Sequence, residues 1–251
     1  MAHPDGARRT LTLTHHAKRT TIPGEATRML LWIDYFFLSL PGLLLTIWAQ
    51  ARIIRAYAAG ARVWAVSGLT GAAVGEWVLR AGGVGDAAIE QASGELSDYY
   101  DAGHTLLRLS RGVHEGRSLT ALGIAAHEAG HALQQAAGSP GLIVRNVVVP
   151  WAGLGSQVCG ILLVAGLWLG MTRLIVLATI LFALALVLQL LNVPIELDAS
   201  RRAREVLLAE GVVCLEEEPI VARVMNAAAW TAVAATLTGV LRLGSWAPGR
   251  S

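Results

Sequence analysis

Long apolar runs alternate with shorter polar stretches along this chain, and four of the runs have the length of membrane spans. The first extends from Met29 to Ala49 and reads as an anchoring helix despite Asp34 and Pro41. It is too long for the core of a signal peptide, and the polar residues Gln50, Arg52 and Arg55 come next. Asp34 sits near one end of the run, where an interfacial carboxylate is the favoured reading. The next two runs, Val147 to Leu169 and Leu174 to Val193, are separated only by Gly170 to Arg173, so they predict a tight helical hairpin. The fourth, Val224 to Leu243, is rich in alanine and threonine. Small residues suit close helix packing in lipid, although a buried soluble helix would also have this composition.

Between the first and second runs the pattern turns soluble. Gly68, Thr70, Gly71, Gly82, Gly83 and Gly85 punctuate a helix expected from Thr70 to Arg80. Ile89 to Tyr100 and Thr105 to Leu109 are expected to be short strands, with a turn at Asp101-Ala102-Gly103. The resulting layout is a polar tail at 1–28, an anchor at 29–49, a soluble α+β segment at 50–146 and a membrane hairpin at 147–193. A helix at 194–223 and a last span with its tail at 224–251 complete it. The expected fold is thus mainly α and membrane-embedded, with about four transmembrane helices and a small α+β domain between spans one and two.

Composition agrees. Apolar residues make up 54% of the chain and charged residues 15%, with a mean hydropathy of +0.53; an ordinary soluble domain is about a quarter charged. The net charge of +2 and the absence of a basic run interleaved with aromatics argue against a nucleic-acid partner. Two cysteines, Cys159 and Cys214, offer neither a disulfide framework nor a CxxC metal pair. Any bound metal therefore falls to histidine and carboxylate.

Residues 125–134 read Ala-Ala-His-Glu-Ala-Gly-His-Ala-Leu-Gln and contain HExxH as His127-Glu128-Ala129-Gly130-His131. On a helix, positions i and i+4 lie about 40° apart around the axis and one turn apart along it, so both imidazoles reach one point. Glu128 projects beside that point, placed to take a proton from metal-activated water rather than to ligate. Ser118 can cap this helix, and Gly138 with Pro140 can stop it. Small neighbours at Ala125, Ala126, Ala129 and Gly130 leave room for close approach. A chance HExxH on an ordinary helix is the bland alternative, and these flanking features weigh against it.

Two histidines and a carboxylate would leave zinc one open position. Glu196, in Pro194-Ile195-Glu196-Leu197-Asp198-Ala199-Ser200, is the best third ligand. Pro194 can open a helix with Glu196 in its first turn, and Ser200 at i+4 shares its face, within reach of a ligand. The competing reading of Glu196 is a helix-start carboxylate favoured by the macrodipole. Asp198 points away by the same period and can pair with Arg202, as a surface residue. Ligands on the first and third connectors must share one membrane face, and the hairpin returns the chain to that face. Arg52, Arg55, Arg62, Arg145, Arg201, Arg202, Arg204 and Arg223 near the span ends place this face in the cytoplasm. The basic N-terminal tail pulls the other way.

With these residues in view, the chain resembles the neutral zinc metallopeptidases of bacterial membranes, relatives by motif of the membrane gluzincins. The resemblance is carried by Ser67 to Gly71, Leu96 to Asp101, Leu107 to Ser110, Ala125 to Gln134, Pro194 to Ala203 and Asn226 to Ala235. It covers about residue 30 to the end. The resemblance implies one Zn2+ per chain on His127, His131 and Glu196, with Glu128 catalytic. Two departures are visible: Asp101-Ala102 stands where relatives carry Asp-Pro, and Ser200 stands where related gluzincins carry aspartate. The second puts the orientation of the ligands by that residue in doubt.

Other polar residues carry less. His104, His114, Tyr99 and Tyr100 could stabilise a developing oxyanion, but solvated loop positions are the favoured reading for the histidines. The strand at Leu106 to Leu109 could add an extended substrate to its edge or serve as scaffold. His3, His15 and His16 lie in the tail, and Glu216 to Glu218 read as a solvated acidic loop. The expected function is a membrane-bound zinc endopeptidase of the cell membrane, multi-pass, acting on peptides or membrane proteins at the bilayer. A non-catalytic membrane interaction or assembly protein with a relic metal site is the alternative. A transporter is disfavoured by the scarcity of polar groups in the spans.

Overall fold

The computed structural model describes residues 25–94, 97–227, 229, 230, 233 and 237. The tail histidines, most of the 224–243 run and the side chain of Asp34 lie outside the described residues. The described chain is mainly helical with one small sheet.

Helix α1 covers Glu25–Ala61, so the helix expected over 29–49 runs on past Gln50, Arg52 and Arg55 as one rod. Arg52 lies over the rings of both Trp48 and Trp230, which joins α1 to the C-terminal helical residues. Helix α2, Gly71–Ala81, starts where the Thr70 hydroxyl accepts a hydrogen bond from Ala73 N. It ends at Gly82, followed by Gly83 with a φ of 75°. Val74, Val78 and Leu79 form its buried face.

Strands β1 (Ala88–Ala92), β2 (Tyr99–Asp101) and β3 (Leu106–Ser110) form a sheet in the order β1-β3-β2. β3 pairs in parallel with β1, placing Ile89 opposite Leu107, and antiparallel with β2, placing Tyr100 opposite Leu107. The strand expected to offer an edge to substrate is therefore the central one. Leu107 and Leu109 are fully buried and the ladder on both sides is taken, which leaves β3 the scaffold role.

Short helix α3 (Arg111–His114) leads to α4, Leu119–Ala136. The Ser118 hydroxyl accepts from Ala121 N, as its capping position predicts. Gly138, at a φ of 62°, ends the segment, but Pro140 does not merely stop it. Pro140 is the first residue of α5, Pro140–Leu169, because a proline lacks only a hydrogen bond that the first helical turn does not make. α4 is the hub, packed by α1, α2, α3, α6 and α7 through Leu119, Leu122, Ala125, Ala126, Ala129, Ala132 and Leu133.

α5 and α6 (Thr172–Ala209) are joined through Gly170 and Met171 and pack more extensively than any other pair of elements. Gly170 takes a left-handed conformation at a φ of 66°. Gly166 lets the partner approach until an added Cβ would lie 2.8 Å from Ile175 Cγ1. Among the described residues α6 is the one helix long and apolar enough to cross a membrane. Val176, Ile180, Leu184, Val187 and Leu191 form an exposed stripe along it, whereas the core helix of a soluble protein would cover such a face.

Pro194 corrects an expectation. It lies inside α6, which continues through it, and so does not open a helix. Proline removes one backbone bond, a local loss against which α6 is held by its packing on α4 and α5. Glu196 is consequently a mid-helix residue, and no macrodipole explains its position. After α6, Glu217 closes the connector to α7 (Glu218–Met225). The acidic run is solvated only in part: Glu216 is exposed, but Glu217 is buried and accepts from Val66 N and Cys214 N, while Glu218 pairs with Arg204.

Candidate metal centre

α4 presents His127 and His131 one turn apart on a face closed by α6. The contact is close because Gly130 carries no Cβ; one built there would lie 2.4 Å from the carbonyl oxygen of Ala199. This approach brings the Glu196 turn of α6 against the paired imidazoles. Nε2 of His127 and of His131 lie 3.0 and 3.7 Å from Glu196 Oε2. One donor atom from each of the three residues lies within 4.8 Å of the others. All three side chains are buried, at 5% exposure for His127 and Glu196 and 2% for His131. The rings stand nearly perpendicular, at 77°, with centroids 5.0 Å apart.

Hydrogen bonding fixes what each imidazole can offer. His127 Nδ1 lies 3.0 Å from Ser200 Oγ, and that hydroxyl faces the backbone carbonyls of Glu196 and Met225 at 3.0 and 3.1 Å. Carbonyls only accept, so the serine proton goes to them and Oγ accepts from an Nδ1–H. His131 Nδ1 lies 3.0 Å from Gln134 Oε1. The Gln134 amide nitrogen donates to Ile195 O at 2.8 Å and to Asp198 Oδ2 at 2.9 Å, which settles the amide's orientation. His131 therefore also carries its proton on Nδ1. The Nε2 atoms of both rings then face a buried carboxylate, that of His127 within hydrogen-bonding distance of Oε2, and Asn192 Nδ2 donates to Oε1 at 3.2 Å. Three electron-rich atoms gathered in a low-dielectric interior fit a cation among them.

The donor set also suits zinc. Bonds of about 2.0–2.1 Å in a tetrahedron put ligand atoms roughly 3.3–3.5 Å apart, and the 3.0 and 3.7 Å separations straddle that range. Two imidazoles and one carboxylate leave a fourth position for water or substrate. Glu128, half-buried, is not a member of the donor group.

Ser200 occupies the orienting position expected of it, though as a neutral acceptor. Asp198 pairs with Arg202 at 2.7 Å as expected, and with Arg201, but it is more than a surface residue because it also holds Gln134. Gln134 and Asn192 were not singled out from the sequence. Their i+3 spacing from His131 and i−4 spacing from Glu196 is the local signal that places them. Tyr57 was missed as well, since nothing local ties α1 to α4. Its backbone carbonyl accepts from Thr120 Oγ1. Burial, then the negative charges of Glu128 and Asp98, push its phenol above the ordinary value.

The oxyanion candidates distribute otherwise. His104 is exposed and bonded through Nδ1 to Asp101, which holds that carboxyl below its usual range. Tyr99 accepts from Arg108 on the outer face of the sheet. Tyr100 packs against the core, and His114 ends α3. Asp98 binds both the backbone and the hydroxyl of Ser110, tying β2 to the start of α3.

Comparison with known proteins agrees with this geometry. The family described as "Putative neutral zinc metallopeptidase" matches residues 35–248. The chain is 37% identical over 209 residues to a Bacillus subtilis protein named "Putative membrane protease YugP", covering 83% of this chain and 93% of that protein. No solved structure matches. The buried His127–His131–Glu196 cluster lies within the matched region, and the chain belongs to the family described as "Putative neutral zinc metallopeptidase".

Proposed function

We propose that this chain is a membrane-bound zinc endopeptidase that hydrolyses peptide bonds at the bilayer surface, with Glu128 as the general base. The observation that carries the reading is the convergence of His127 Nε2, His131 Nε2 and a Glu196 carboxylate oxygen, with both Nδ1 protons committed elsewhere. Zinc, when bound to these three residues, supplies a Lewis acid that acidifies water and polarises a carbonyl.

The chain's own groups do the rest. Glu128 follows His127 on α4, turned about 100° from it and half-buried beside the cluster. There its carboxylate accepts the proton of the attacking water and passes it to the departing amine. Ser200 and Gln134 hold the two imidazoles in one tautomer, and the burial of the cluster keeps bulk water from competing.

The membrane setting extends from α6 to the runs at 29–49, 147–169 and 224–243, giving a multi-pass protein of the cell membrane. A cytoplasmic side for the cluster is the reading that the arginines at 52, 55, 62, 201, 202, 204 and 223 favour. Substrates are then peptides or membrane proteins whose chain reaches that surface.

Purified protein loaded with zinc and offered a diverse peptide library tests this. Wild type cleaves, whereas Glu128→Gln retains the metal and loses hydrolysis by about 10²–10⁴-fold. Undiminished cleavage by Glu128→Gln would refute the assignment of the base.

A further inference from the structure

Gln134 is 1% exposed, lies on α4 one turn beyond His131, and is used completely. Its Oε1 accepts the Nδ1 proton of His131, and its two amide hydrogens go to Ile195 O and Asp198 Oδ2. Ile195 and Asp198 flank Glu196 in the chain. One side chain thus grips a histidine of the HExxH motif on α4 and the turn of α6 that carries the carboxylate. Asp198 is itself held by Arg201 and Arg202.

We propose that Gln134 and Asp198 form a positioning pair that sets the tautomer of His131 and the placement of Glu196 together, so that zinc meets a prearranged donor set. This rests on the reading of His131 and Glu196 as zinc ligands.

The polarity of the bonds gives the inference its content. A glutamine is the side chain of this size that can accept at one end and donate twice at the other. His131 must receive an acceptor if its Nε2 is to keep a lone pair for the metal. Ile195 O and Asp198 both require donors. A carboxylate at position 134 meets the first demand and fails the second; an apolar residue fails both. Ser200 plays the matching part for His127 but contributes no charge there. On the Nδ1 side of the imidazoles, Asp198 is accordingly the linked anionic group, reaching His131 through the Gln134 amide instead of directly.

Removal of Gln134 is survivable. Ile195 O lies within α6, and Asp198 keeps Arg201 and Arg202 as partners. In Gln134→Leu, zinc affinity measured by chelator competition on the full-length protein in detergent is expected to fall about 10–100-fold. Long-range 1H–15N spectra of the metal-free, 15N-histidine-labelled variant are expected to show His131 losing its preference for Nδ1–H. A role confined to stitching the helices would lower the melting temperature without moving that tautomer.

Gln134→Glu provides a second reading if the leucine variant does not fold. It keeps the His131 tautomer but weakens zinc, because its other oxygen faces Ile195 O and Asp198 without a proton between them. Adding Asp198→Asn returns a donor to that contact and is expected to recover at least half of the loss on a logarithmic scale. Zinc affinity within threefold of wild type in Gln134→Leu, an unchanged His131 tautomer there, or no recovery in the double variant overturns the proposal. A wild-type protein that binds no zinc would instead refute the metal reading beneath it.

Discussion

Gly130 and Ala199 meet backbone to backbone: a Cβ built on Gly130 would lie 2.4 Å from the Ala199 carbonyl oxygen and 2.9 Å from its carbon. The contact lies within one turn of His127, His131 and Glu196, so the distance between α4 and α6 there sets the size of the cluster. Alanine at position 130 would gain about 1 kcal/mol in helix propensity. Against this stands a clash with main chain, which cannot swing aside, and overpacking of this kind costs about 1–3 kcal/mol. The clash wins. Gly130→Ala is expected to lower the melting temperature and to weaken zinc binding, both readable in a melt with and without added zinc. A variant as stable and as zinc-avid as wild type would show that the helices do not need this contact.

The HExxH motif, the Ser118 cap, the α2 helix and the strands β1 and β3 were legible because their signals are local, whereas the Ile89–Tyr100 stretch proved to hold two separate strands, the second running into the expected turn at Asp101. Spacing at i and i+4 puts His127 and His131 together in any helix, and Thr70 and Ser118 announce helix starts whatever packs against them. The pairing of β3 with both β1 and β2 was not legible, since sheet order depends on contacts between segments that no local pattern records. Pro194 misled for a related reason: its cost to a helix is intrinsic, and its toleration depends on the α5 and α4 neighbours. Gln134 escaped notice because an i+3 polar residue has many uses, and only the approach of α6 gives its amide two acceptors. Tyr57 meets Thr120 and Glu217 meets Val66 across the fold, contacts that no local pattern records.

Ser200 holds His127 with a neutral oxygen. Ser200→Ala removes the acceptor from Nδ1 with almost no change in volume. Zinc affinity should fall about tenfold, at the lower end for an orienting partner. Chelator competition checks this, and an affinity equal to wild type would show that the Nδ1 bond contributes nothing to the metal.

Tyr57 links α1 to Glu128 through electrostatics and gives a pH signature. Its phenol is raised in the folded state by burial and by the charges of Glu128 and Asp98. A raised value stabilises the fold below the unfolded tyrosine's value of about 10, and that contribution is lost as pH climbs towards the folded value. Between pH 9 and 11 the melting temperature of wild type should therefore fall more steeply than that of Tyr57→Phe. Parallel falls would show that the phenol does not titrate differently in the fold.

Orientation can be read from the protein's own thiols. Cys159 is buried against α6, with its Sγ donating to Ala178 O, whereas Cys214 lies half-buried in the connector ahead of α7. A cytoplasmic cluster requires that a membrane-impermeant maleimide leave Cys214 unmodified in intact cells and modify it in inverted vesicles. Labelling in intact cells would place the cluster on the outer face.

Zinc content and affinity in wild type and in Glu196→Ala bear most directly on whether two helices build one site. With His127, His131 and Glu196 as ligands, wild type holds about one zinc per chain. Glu196→Ala keeps its helical circular dichroism and loses zinc affinity by at least about a hundredfold, on the order of the cost of removing one of three protein ligands. An undiminished affinity in Glu196→Ala would contradict a shared site, because the paired imidazoles alone would then account for the metal.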